Sequence, residues 1–154
     1  MAESIPLQDR LHPEAPIRSC YGCGSDNGKG LRIKSFLVGD EGVCRWRAQD
    51  HYCSYPGFLN GGVASTLIDC HSAWTAFALE CRNKGIDMGG KSDLPTGWTR
   101  VLHVEFLKPT PLEGELILKA RVVKEGRTSR TVVCSIYSGD EECVRGEVTI
   151  VMKG

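Results

Sequence analysis

The chain has 154 residues, of which 41% are hydrophobic and 25% charged, and its 19 Lys plus Arg are matched by 19 Asp plus Glu. That length suits one domain around one core, and an apolar fraction this high excludes bulk disorder. A formal net charge of zero gives no support to a broad basic face for nucleic acid or a polybasic patch for a membrane surface.

Residues 1–19 carry Pro6, Pro13 and Pro16, lack the apolar core of a signal peptide, and read as an irregular arm before a single domain over 20–154. No segment approaches the roughly 20 apolar residues that span a bilayer, so a cytoplasmic protein is expected. In a reducing compartment the eight cysteines read mostly as small buried apolar residues. Cys20-Tyr21-Gly22-Cys23-Gly24 opens a turn-rich stretch that ends near Gly30. Two strands are expected over 31–38 and 43–49, joined by the turn at 39–42.

A buried helix follows. Val63, Leu67, Cys70, Trp74, Phe77 and Cys81 recur at intervals of three and four, and the other side is made of small residues (Gly62, Ser65, Thr66, Asp69, Ser72, Ala73, Ala76). Residues 83–98 read as a long glycine-containing loop, of a length that is usually functional or mobile. Beyond it the period becomes two: Leu102, Val104 and Phe106; Leu116, Leu118, Ala120 and Val122; Val132, Cys134 and Ile136; then Val144 to Met152. The short joins at 109–113, 125–127 and 138–140 predict a four-strand antiparallel meander. An antiparallel sheet with one apolar face and one very apolar helix satisfy each other if the sheet curls around the helix.

The run from Tyr55 through Asn60-Gly61-Gly62 to Asp69 resembles the active-site helix entry of hotdog-fold acyl-CoA thioesterases, in the branch of the phenylacetate-pathway enzymes. That branch usually has His-Gly-Gly followed by an Asp nine residues after the His, and Asn60 to Asp69 has that spacing. The segment from Cys20 to Leu31 and the strand from Thr99 to Pro111 resemble two further stretches of the branch, so the likeness covers about residues 20–152. The resemblance implies an α+β hotdog fold, a homodimer or dimer of dimers, and hydrolysis of an acyl-CoA thioester at the dimer interface. Coenzyme A then enters as part of the substrate, with no separate cofactor. In that picture the Gly61 N–H, beside Gly62, polarises the thioester carbonyl, and Asp69 activates water or attacks directly. Thr99 stands where some relatives carry a Ser that helps to position the water. An unpaired N–H at a helix N-terminus is by itself a good oxyanion donor.

Each candidate also has a plainer reading. Asp69 reads equally as a buried carboxylate bonded to Ser65, Ser72 or the backbone. Asn60 replaces the usual His; its amide donates a hydrogen bond but takes up no proton near neutrality, and Asn is a favoured N-cap. That replacement also fits a hotdog protein that binds acyl-CoA without turnover. A hydratase on the same fold normally uses a His–Asp or His–Glu pair that is not visible here. Cys20 and Cys23 lack a second Cys-x-x-Cys for zinc, His51 and Cys53 being the only nearby completions, so no metal is expected. Cys70 falls on the apolar stripe and reads as core. Arg127, Arg130 and Arg82 (with Lys84) are candidates for the CoA phosphates, or solvated side chains at a hairpin tip and helix end. Trp74, Phe77 and the 83–98 loop are candidates for the acyl pocket.

Overall fold

The computed structural model describes residues 5–153; the first four residues of the expected arm, and Gly154, lie outside the described residues. Its centre is one helix, α1 (Gly61–Lys84), which local chemistry delimits at both ends. Asn60 is the N-cap: its backbone is extended and its Oδ1 accepts the Val63 N–H at 3.1 Å. Gly85 closes the other end in the left-handed region at φ 66°, donating to the Arg82 and Cys81 carbonyls.

Six strands surround it: β1 (Ser35–Val38), β2 (Glu41–Arg47), β3 (Thr96–Phe106), β4 (Glu115–Glu125), β5 (Ser129–Ser138) and β6 (Glu141–Lys153). They form one sheet in the order β1-β2-β4-β5-β6-β3, antiparallel throughout. The helix touches every one of the six strands, so the sheet curls around it. This is the hotdog arrangement.

The inward residues of the sheet, including Leu116, Leu118, Ile136, Val144 and Val148, are fully buried with Leu67 and Ile68 of the helix. Each such aliphatic contributes about 1.5–3 kcal/mol by leaving water. Two glycines set how closely the layers approach: a side chain at Gly42 would collide with the Thr75 hydroxyl, and one at Gly146 with an Ile68 methyl. This rotates the buried face of α1 away from the expected stripe. Leu67, Trp74 and Cys81 of that stripe are buried, together with Ala64, Ile68, His71, Ser72 and Thr75 beside it, whereas Val63, Cys70 and Phe77 are half-buried.

The expected meander of four strands is corrected to three. β4 pairs with β2 on one side and β5 on the other, which leaves β3 no place beside it, and the 107–114 join carries the chain so that β3 pairs with β6. β3 is therefore an edge strand with both faces open; Trp98 is 52% exposed and Phe106 55%. The first expected strand is shortened to Ser35–Val38. Ahead of it the Leu31 and Ile33 N–H groups bond to the Tyr21 and Gly22 carbonyls, and Arg32 has a φ of 58°. The arm is also more ordered than its prolines suggest. It forms two 3-10 turns, Leu7–Arg10 and Pro16–Ser19, and buries Leu7 and Leu11 in the core.

Candidate active site

The start of α1 presents unpaired donors. With the Val63 N–H taken by Asn60 and the Ala64 N–H by the Asn60 carbonyl, the Gly61 and Gly62 N–H groups have no acceptor among the described residues. They stand at the positive end of a 24-residue helix. A Cβ at Gly61 would lie 3.3 Å from Phe106 Cζ, so the donor end of the helix abuts the far end of the edge strand. Asn60 is exposed, and turning its carbonyl to the cap leaves its NH₂ group directed away from Val63.

Asp69 lies eight residues further along, about 12 Å by helix rise. It is half-buried, and its Oδ1 accepts the Thr99 hydroxyl at 2.5 Å. Ser65 bonds instead to the Gly61 carbonyl. Thr99 is on β3 at a register shift between Thr99 and Val101; such a bulge re-aims a strand side chain. Asp69 and Thr99 both line a groove of about 840 Å³, and Asp69 Oδ2 has no partner among the described residues. The groove is walled by Trp74 and Phe77 of the helix, by 94–98, and by residues 11–17 of the N-terminal segment. Sequence reasoning anticipated the first two walls and missed the third, whose only signal was the pair Leu7 and Leu11.

Gly61 lines a different, smaller hollow of about 580 Å³ with Phe58, Phe106 and Pro109. Within one chain the Gly61 N–H and the Asp69 carboxylate therefore do not converge on one atom.

The cationic candidates lie elsewhere, and none of the three lines the groove. Arg130, only 14% exposed, is paired with Glu80 at 2.7 Å and donates to the Gly126 and Ser129 carbonyls. Hydrogen bonds from Lys84 and then Arg130 hold the Glu80 carboxyl below its usual range. Arg82 donates to the Gly39 carbonyl at 2.7 Å and is ion-paired with Asp40. Both are committed to holding the helix end against neighbouring turns, which leaves Arg127, exposed at the β4–β5 hairpin, as the uncommitted member of the three. His71 lies on the opposite side of α1 from Asp69, fully buried. Cys70, expected as core, is half-buried and lines the groove beside Cys20 and Cys23.

Comparison with known proteins bears on the family and the fold. The model of the Thioesterase superfamily matches residues 56–144. The acyl-coenzyme A thioesterase THEM4 of Rattus norvegicus is 31% identical over 108 residues, covering 70% of this chain and 40% of that protein. The protein of the same name from Bos taurus is 28% identical, covering 82% of this chain and 47% of its own length. The chain thus spans about half the length of the curated relatives it matches. Among solved structures, a thioesterase superfamily protein from Shewanella loihica is 28% identical with a TM-score of 0.63, covering 79% of this chain and 91% of that one. A hypothetical thioesterase from Streptococcus pneumoniae, solved with coenzyme A, has a TM-score of 0.64 at 20% identity, covering 79% and 86% respectively; at that identity the likeness concerns the fold.

Proposed function

The chain belongs to the thioesterase superfamily, and on that footing we propose that it hydrolyses an acyl-CoA thioester in a site shared between two copies. The observation that carries this reading is the Asp69–Thr99 pair facing an apolar-walled groove. One carboxylate oxygen is held and the other is left for chemistry.

The edge strand supplies the reason for two copies. β3 is long, apolar and open on both faces, a template for pairing. In an isologous antiparallel pair the Thr99 end of one β3 runs past the Phe106 end of the other. Phe106 abuts Gly61, so the free N–H of one helix start approaches the carboxylate of the other copy. The Gly61 N–H would then donate to the thioester carbonyl oxygen. Asp69 Oδ2 would take a proton from water as that water adds to the carbonyl carbon. Collapse of the tetrahedral intermediate breaks the C–S bond; the CoA sulfur leaves as thiolate and recovers the proton from Asp69. If Asp69 instead attacks directly, the same oxygen is the nucleophile. The acyl chain would lie along Trp74 and Phe77, and Arg127 is the candidate left to meet a CoA phosphate.

Mixing two inactive proteins tests this directly. Asp69→Asn removes the base, and Gly61→Pro removes the donor at a helix position that tolerates proline. Each alone should release almost no thiol from a panel of short, medium and aromatic acyl-CoAs. Unfolded together and refolded as an equal mixture, they should regain about a quarter of the wild-type rate, because half of randomly assorted dimers carry one intact site. Activity in either variant alone, or no recovery in the mixture, would sink the shared site. CoA-ester binding without turnover in the wild type would favour the non-catalytic binder, with Asn60 as the reason.

A further inference from the structure

Three sulfurs meet on the wall of the groove. Cys20 and Cys23 come from the turn after the second 3-10 segment and Cys70 from α1, and their Sγ atoms all lie within 4.8 Å of one another. Cys20 and Cys70 Sγ are 3.9 Å apart. That is far from the ~2.05 Å of a disulfide. It falls between the roughly 3.8 Å and 4.0 Å that a sulfur–metal bond of about 2.3 Å sets between ligands in tetrahedral and trigonal geometry.

The surroundings favour thiolates. The Trp74 indole N–H donates to Cys23 Sγ at 3.1 Å. A cation among the three sulfurs would favour their thiolate forms. The packing keeps the triangle closed: any side chain at Gly22 would collide with the Cys70 sulfur. Cys23 is buried, Cys20 and Cys70 are half-buried, and all three border the groove. A dithiol switch needs two sulfurs; here a third arrives from a different element.

We infer that Cys20, Cys23 and Cys70 form a site for one thiophilic d10 metal ion of the zinc(II) class, held by three thiolates with a fourth position open to the groove. His51 and Cys53, the ligands that sequence spacing offered, are not part of the cluster. Such an ion would tie the N-terminal segment to α1 beside Asp69 and stabilise that wall of the groove.

The test uses the whole chain, purified without a histidine tag, reduced and stripped of metal. Cobalt(II) should bind at one equivalent with intense thiolate-to-metal charge-transfer bands, zinc should displace it, and zinc should raise the melting temperature. Cys20→Ser and Cys70→Ser should each weaken zinc binding by at least about 100-fold, measured against a chromophoric chelator, while Cys53→Ser should leave it unchanged. Trp74→Phe, which removes only the donated N–H at Cys23, should weaken it by about 10-fold; this keeps the site testable if a cysteine variant misfolds. The assignment is overturned if the reduced wild type shows no thiolate–cobalt bands, or if zinc binds equally well to Cys20→Ser and Cys70→Ser. It is likewise overturned if the purified chain carries a Cys20–Cys23 disulfide and its reduced form takes up no zinc.

Discussion

Two polar systems leave α1 within two residues of each other, and they are built on opposite principles. On the sheet side His71 is fully buried, with Nδ1 2.8 Å from the Ser35 hydroxyl. Ser35 in turn accepts from Gln8 Nε2 at 3.0 Å and donates its N–H to Gln8 Oε1 at 2.8 Å. This chain ties the N-terminal segment, β1 and the helix together away from water. On the groove side Asp69 has one partner, Thr99, and keeps an oxygen free. Here hydrogen bonds satisfy Ser35, Gln8 and His71 Nδ1, while His71 Nε2 is buried without a partner among the described residues. A half-used carboxylate facing an apolar-walled groove is the arrangement a reaction needs.

The largest separation between the two should come from Asp69→Asn. Thiol release should fall by about 10³-fold, within the range for losing a general base, with circular dichroism and melting temperature essentially unchanged. A variant that unfolds, or that keeps its rate, breaks the comparison. The sealed side should answer to pH through stability. Burial pushes His71 down to about 4, so the fold holds it neutral while the unfolded chain protonates it from about pH 6.5 downward. Stability is thus intact above that pH and drains as pH falls toward 4, by up to about 3 kcal/mol. Urea titrations at several pH values should show this slope, and His71→Asn should flatten it; a slope that survives in the variant assigns it to other groups. The smallest effect sharpens the groove side. Thr99→Val should slow turnover by about 10-fold with little change in KM, because Thr99 acts through Asp69 and not on substrate. Thr99→Ser should restore the rate; failure to do so would mean that strand shape matters and not the hydroxyl.

What the sequence made legible was local. The Asn60 cap, the helix it starts and the period-two strands after it are written in consecutive residues, and so is the spacing from Asn60 to Asp69. The misreadings were tertiary. The stripe was right at Leu67, Trp74 and Cys81, which are buried, but Gly42 and Gly146 on the sheet let the helix seat to one side of it, at Ile68 and Thr75, so that Val63, Cys70 and Phe77 are only half-buried. Alternation in β3 signalled a strand but carried no information about its neighbour, so its edge position did not show. Cys70 could not be grouped with Cys20 and Cys23 from spacing, since 47 residues separate it from Cys23. Arg130 and Arg82 are paired in the fold with Glu80 and Asp40, partners that no local pattern announced.

The wall made by residues 11–17 has an evolutionary consequence. It belongs to a segment that contains neither Asp69, Thr99 nor Gly61, and Gln8 and the buried Leu7 and Leu11 fasten it to the rest. The wall that shapes the groove thus lies on a different segment from the candidate groups Asp69, Thr99 and Gly61. Variation confined to residues 11–17 can reshape that wall while leaving Asp69, Thr99 and Gly61 in place, and a chimera swapping only that stretch is the minimal way to measure it.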